Sequence, residues 1–96
     1  MRSEGPSPGY VTVLVEAEID AGALIARHTH PGIGSTYIIE GGGTLIVDGQ
    51  ANREVKPGDG LQIPAGHPHG VQNGPKTTKI VANYIVEKGK PLASPA

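Results

Sequence analysis

The chain has no cysteine, no tryptophan and no phenylalanine. Without cysteine it has no disulfide, no thiolate metal ligand and no cysteine nucleophile. Three tyrosines are its only aromatic residues, so ring packing cannot carry a core. It also lacks an excess of either charge: eight Lys+Arg stand against nine Asp+Glu, for a net charge of −1. With no basic stripe, the electrostatic footprint of a nucleic-acid binder is missing. No apolar run approaches the length of a membrane span, and no basic, apolar and small-residue leader opens the chain. A soluble protein is expected, cytoplasmic or exported with its signal removed, and without contact to membrane or nucleic acid. Glycine and proline, in contrast, make up a quarter of the 96 residues, near the range of disordered chains. Yet valine and isoleucine outnumber leucine 17 to 5 and fall in runs between the glycines and prolines. That is the pattern of short strands joined by tight turns. A single small β domain follows, and at this size a metal or an oligomer adds support.

Val11–Ile19 alternates apolar and polar residues with period two, Leu14 apart. Asp20-Ala21-Gly22 reads as a turn, and Ala23–His30 as the next strand. Pro31-Gly32-Ile33-Gly34 breaks it, and Thr36–Glu40 resumes extended chain. Thr44–Val47 and Ala51–Val55 flank Asp48-Gly49, which predicts a two-residue hairpin turn with positive φ at both residues. Lys56-Pro57-Gly58-Asp59 and Pro64-Ala65-Gly66 are turns on either side of Leu61–Ile63, and His69–Gln72 and Thr77–Val86 close the series. About eight strands and no amphipathic helix predict an all-β fold, an antiparallel barrel or jelly roll, because closure removes exposed edges. Residues 1–9 are expected to be a flexible segment, 10–87 the domain, and 88–96 a polar tail.

All four histidines lie in two His-x-His pairs, His28-Thr29-His30 and His67-Pro68-His69. Along a strand, positions i and i+2 share a face, about 6.6 Å apart at Cα. Two imidazoles so placed can converge on one ion, with a third from a neighbouring strand. Imidazole suits iron, manganese, nickel, copper or zinc, whereas calcium and magnesium prefer oxygen. Four surface or hydrogen-bonded histidines are the plainer alternative, and the absence of any histidine elsewhere weighs against it.

These residues carry a family resemblance: the chain resembles a small single-domain cupin, of the double-stranded β-helix superfamily. The first cupin motif is matched by Gly22, His28, His30 and Gly41, and the second by Gly58, Pro64, Gly66, His69 and Asn73. The resemblance implies a cupin-type barrel, a divalent transition metal held by His28, His30 and His69, and a homodimer. One motif position departs: Gly34 stands where the family has a metal-binding glutamate. A site with histidines alone keeps the full charge of its ion and has more open positions. Restoring glutamate at position 34 is expected to tighten metal retention. Glu40 cannot replace it, because six residues of strand span about 20 Å.

Alternation counted from the histidines places Leu24 and Ala26 inside the barrel, and the motif role of position 34 adds Thr36 and Ile38. With Gln62 and Ile63 these are the candidates for binding a small-molecule substrate. His67, on the face of His69 if alternation holds through Pro68, is the candidate proton shuttle near neutral pH; a plain loop histidine is the other reading. Three functions fit: a metal-dependent, oxygenase-like enzyme on a small organic substrate, a non-catalytic module binding a small molecule or metal, and a metal-free isomerase or epimerase. Family membership does not choose among them.

Overall fold

Runs of β-branched residues cut by glycine turns leave little room for anything but strands, and the computed structural model, which describes all 96 residues, contains ten strands and no helix. In chain order they are β1 (Arg2–Glu4), β2 (Tyr10–Ile19), β3 (Leu24–Thr29), β4 (Ile33–Glu40), β5 (Gly43–Val47), β6 (Arg53–Val55), β7 (Gly60–Ile63), β8 (His69–Asn73), β9 (Thr78–Glu87) and β10 (Ser94–Pro95). They form two antiparallel five-stranded sheets, ordered β1-β2-β9-β4-β7 and β10-β3-β8-β5-β6. Consecutive strands pass repeatedly from one sheet to the other, which is the jelly-roll connectivity.

The sheets pack through alternate residues. Ile38 from the first sheet and Leu45, Val47 and Val55 from the second are buried together, with Leu61, Ile63, Val71 and Ile80 against them. Aliphatic side chains of this size contribute about 1.5–3 kcal/mol each when fully buried, and they do the work that the missing aromatic rings would otherwise do. At one end of the sandwich Asn73 ties three loops together. Its Nδ2 donates to the carbonyls of Ile19 (3.0 Å), Asp20 (2.8 Å) and Lys76 (3.1 Å), and its Oδ1 accepts from the Thr78 hydroxyl (2.6 Å). Thr78 Oγ1 in turn accepts from the Gly42 N–H at 2.8 Å.

Three local features differ from the sequence expectation. Arg2–Glu4, expected as flexible chain, pairs with Val11–Val13, and Ser94–Pro95 of the tail pairs with Thr29 and His28. Strand β4 begins at Ile33, so Gly34 lies within a strand, between β7 and β9. At Asp48-Gly49 only the glycine has positive φ (78°), and the β5–β6 ladder starts no nearer than Leu45–Arg53. Asp48 is held by other partners: its N–H donates to the Pro68 carbonyl at 3.1 Å, and its carboxylate takes a two-pronged contact from Arg27. The turns at Asp20–Ala23, Lys56–Asp59 and Pro64–His67 form as expected, with Gly22, Gly58 and Gly66 at positive φ.

Candidate metal centre

His28 and His30 leave the end of β3 and His69 begins β8, the strand paired with it; His28 and His69 are register partners. Their three ligand nitrogens lie within 4.8 Å of one another. His30 and His69 are buried and His28 is half-buried.

The hydrogen bonds of the rings decide what these nitrogens can do. His28 Nδ1 is 2.8 Å from the Ala26 carbonyl, His30 Nδ1 is 2.7 Å from the Leu92 carbonyl, and His69 Nδ1 is 2.9 Å from the His67 carbonyl. A carbonyl oxygen only accepts, so each Nδ1 carries the proton and each neutral ring presents Nε2 as a bare lone pair. Yet His28 Nε2 and His30 Nε2 stand 3.2 Å apart. A proton donated from one ring to the other satisfies this pair, and so does a metal ion shared between them. Imidazole nitrogens bound at about 2.0–2.1 Å to one ion stand roughly 3 Å from each other, so the spacing fits a shared metal. Backbone carbonyls holding the far nitrogen are the usual outer support of histidine ligands. Burial depresses the pKa of His30 and of His69, with neighbouring histidines adding to it and the carbonyl bonds opposing it. Both rings are thereby kept in the neutral, ligating form.

A cavity of about 130 Å³ lies between the sheets beside this cluster, lined by His28 and His69 and by aliphatic residues of both sheets. Thr36, Ile38 and Ile63, expected at the site, line it. Leu24, Ala26 and Gln62 do not. Leu24 is 66% exposed and Ala26 is exposed on the outer face, because the β3–β8 register slips by one residue between Ile25 and His28. This bulge inverts the alternation, so Ile25 faces inward with His28. Gly70 opposite permits it, since a Cβ there would come within 2.8 Å of the Ile25 carbonyl oxygen. Gln62 points outward and donates to Ser35 Oγ at 3.2 Å. His67 does not join the cluster; its Nε2 is 2.9 Å from the Asp48 carbonyl.

The residue that sequence reasoning missed is Tyr84. It registers with Gly34 across β4 and β9, and its ring packs on that of His30, with centroids 4.6 Å apart. Alternation along β9 from the buried Ala82 was the available signal, but nothing in the motif spacing points to a tyrosine. Burial raises its pKa, opposed by a hydrogen bond with Thr36. An open groove of about 560 Å³ on the outer face of the first sheet is larger than the cavity, but no histidine lines it and Tyr37 is its single titratable group.

A jelly roll with three inward histidines on adjoining strands defines a class of small β proteins equipped to hold a metal ion. The family model for the cupin domain matches residues 15–88, and the chain belongs to the cupin family. Among solved structures it is similar to the polyketide cyclase RemF from Streptomyces resistomycificus (31% identity, 82% of this chain and 57% of that one, TM-score 0.72). It is also similar to the DMSP lyase DddQ from Ruegeria pomeroyi (21% identity, 94% and 44%, TM-score 0.76). A third is the salicylate 1,2-dioxygenase from Pseudaminobacter salicylatoxidans (16% identity, 82% and 27%, TM-score 0.66). The chain spans roughly half the length of the first two and less of the third. No match was found among the curated proteins.

Proposed function

We propose that this cupin holds a divalent transition metal on His28, His30 and His69 and uses it on a small organic ligand in the adjoining cavity, with oxygenase-like chemistry as the first reading. The observation that carries this is the convergence of three histidine nitrogens within 4.8 Å, with every Nδ1–H committed to a backbone carbonyl so that Nε2 is the atom available to a metal. Iron, manganese, nickel, copper and zinc all suit such a nitrogen set. When bound, the metal supplies a Lewis acid with open positions and, if redox-active, a route to dioxygen chemistry. The chain's own contribution is to fix three neutral rings through backbone carbonyls and to surround the ligand with Ile25, Ile38, Leu45, Ile63 and Val71. A cavity of this size accepts a body of about benzene's dimensions, and no carboxylate, lysine or arginine lines it. Thr36 offers a hydroxyl for orientation. That a cyclase, a lyase and a dioxygenase share the fold supports a site open to several reactions and does not select one.

A second reading, a non-catalytic binding module, is favoured by one observation. The only titratable groups lining the cavity are His28 and His69, which as ligands cannot also serve as general bases. No tyrosine lines the cavity as the acid that a metal-free isomerase requires. A homodimer belongs to this proposal: Leu14, Tyr37 and Ile39 lie exposed on the outer face of the first sheet, and sedimentation of the purified chain checks it.

The test is metal analysis of protein purified without a histidine tag, followed by oxygen uptake with small carboxylates and phenols. One ion per chain and substrate-dependent uptake support the enzyme. One ion without uptake leaves the binding module, and no retained ion on repletion removes the metal reading.

A further inference from the structure

Position 34 and Tyr84 compete for one space. A Cβ built on Gly34 would lie 2.9 Å from Tyr84 Cε1 and 3.1 Å from its Cδ1, with His30 Cδ2 next at 4.0 Å. Even an alanine there requires the ring to move, and a longer side chain has to pass it to reach the histidines. Moving the ring costs a contact: it packs against His30, whose own orientation is held by the Leu92 carbonyl. The cluster therefore has two sides. His28 and His69 face the cavity, while His30 is backed by Tyr84.

We propose that Tyr84 is a positioning residue that bars a side-chain carboxylate from the metal centre, leaving it a receptor for a small anionic donor that enters from the cavity side. The inference rests on the three-histidine reading above. Three neutral imidazoles leave a divalent ion with its charge of +2 uncompensated, and no acidic residue lines the cavity. An oxygen or nitrogen anion carried on a small apolar body supplies both the missing charge and the fit. A carboxylate from position 34 would take that role itself. The ring, rather than the glycine alone, is what prevents a one-residue change from installing it.

Co²⁺ as the metal and azide as the anion probe test this through visible absorption, without reference to turnover. Wild type is expected to bind Co²⁺ and then azide. Gly34→Glu alone should bind Co²⁺ no more tightly than wild type, contrary to the tighter retention expected from the motif alone, because the Tyr84 ring occupies the space a side chain at position 34 needs. Gly34→Glu combined with Tyr84→Ala should bind Co²⁺ at least about 10-fold more tightly than Tyr84→Ala alone, and azide about 10-fold more weakly than wild type. Tyr84→Phe, which keeps the ring, should match wild type in both. Tighter Co²⁺ binding with loss of azide in Gly34→Glu alone overturns the proposal, as does Tyr84→Phe behaving like Tyr84→Ala. Should Tyr84→Ala fail to fold, Tyr84→Leu takes its place. Gly34→Ala in the metal-free protein gives an independent reading: the Tyr84 and His30 ring resonances should shift, and unchanged resonances overturn the proposal. A wild type that binds no Co²⁺ overturns the metal reading itself, and this proposal with it.

Discussion

Two polar clusters are buried in the same small sandwich, and both reach the cavity: Asn73 with Thr78, and the three histidines. The first is closed. Each Asn73 amide bond ends on a loop carbonyl, its oxygen is taken by Thr78, and Thr78 accepts from Gly42. The second is half closed. Its three Nδ1–H groups end on backbone carbonyls, while Nε2 of His28 meets Nε2 of His30 at 3.2 Å and the three ligand nitrogens lie within 4.8 Å. The contrast separates a cluster whose bonds all serve the fold from one whose Nε2 atoms converge at a place a metal could take. Motif spacing alone treats Asn73 and His69 as equals.

The largest expected effect is His69→Ala. Removing one of three ligands should lower metal affinity by more than the roughly 10–100-fold that loss of an outer partner costs, and bring bound metal per chain close to zero by elemental analysis. Asn73→Ala should leave metal content per folded chain unchanged. Equal losses in both variants would erase the distinction between the clusters.

Stability should rank them in the opposite order. Asn73→Ala removes the side-chain donor to the carbonyls of Ile19 and Lys76, while the Asp20 carbonyl keeps the Ala23 N–H and the Thr78 hydroxyl keeps Gly42, at a cost of about 2 kcal/mol. In the metal-free chain His69→Ala removes one ring-to-carbonyl bond, to His67, and should cost about 1 kcal/mol. Urea unfolding of the two metal-free variants checks the order.

The sequence made the histidine cluster legible and its setting much less so. His-x-His pairs and motif spacing point to His28, His30 and His69, which the fold brings together, and of the cavity candidates Thr36 and Ile38, taken from the motif role of position 34, and Ile63 line the cavity. Alternation fails at Leu24 and Ala26 because a bulge adds one residue between Ile25 and His28. The glycine that allows it, Gly70, lies on the partner strand, beyond any local pattern. Gln62 sits one step from Ile63 and so must face out if Ile63 faces in. His67 is drawn away by the Asp48 carbonyl, a contact between residues 19 apart in the chain. Tyr84 lies still farther from Gly34, and only the β4–β9 register brings them together.

A smaller effect comes from the tail. The Leu92 carbonyl fixes His30, and Ser94–Pro95 lies along β3 beside the cluster, whereas nothing from the tail touches Asn73. Deleting residues 91–96 should weaken metal binding about 10-fold by calorimetric titration and leave the Asn73 network protected from amide exchange. Undiminished affinity would show that His30 holds its orientation without this carbonyl.

The smallest expected difference is in pH dependence. Burial lowers the pKa of His30 and His69 in the folded chain, so below the ordinary histidine value of about 6.5 the unfolded chain binds more protons than the folded one. Stability of the metal-free protein therefore rises with pH across that window. It is fully present above about 6.5 and declines as the pH falls toward the depressed folded-state values. His69→Ala removes one of the two groups responsible, so its stability should fall less steeply over the same interval, and the gap to wild type should narrow on acidification. Asn73 does not titrate, so the deficit of Asn73→Ala should stay constant through it. Urea midpoints at several pH values between 5 and 8 measure both slopes. Parallel profiles for wild type and His69→Ala would mean that this ring, although buried, does not resist its proton, and would remove the electrostatic half of the contrast between the two clusters.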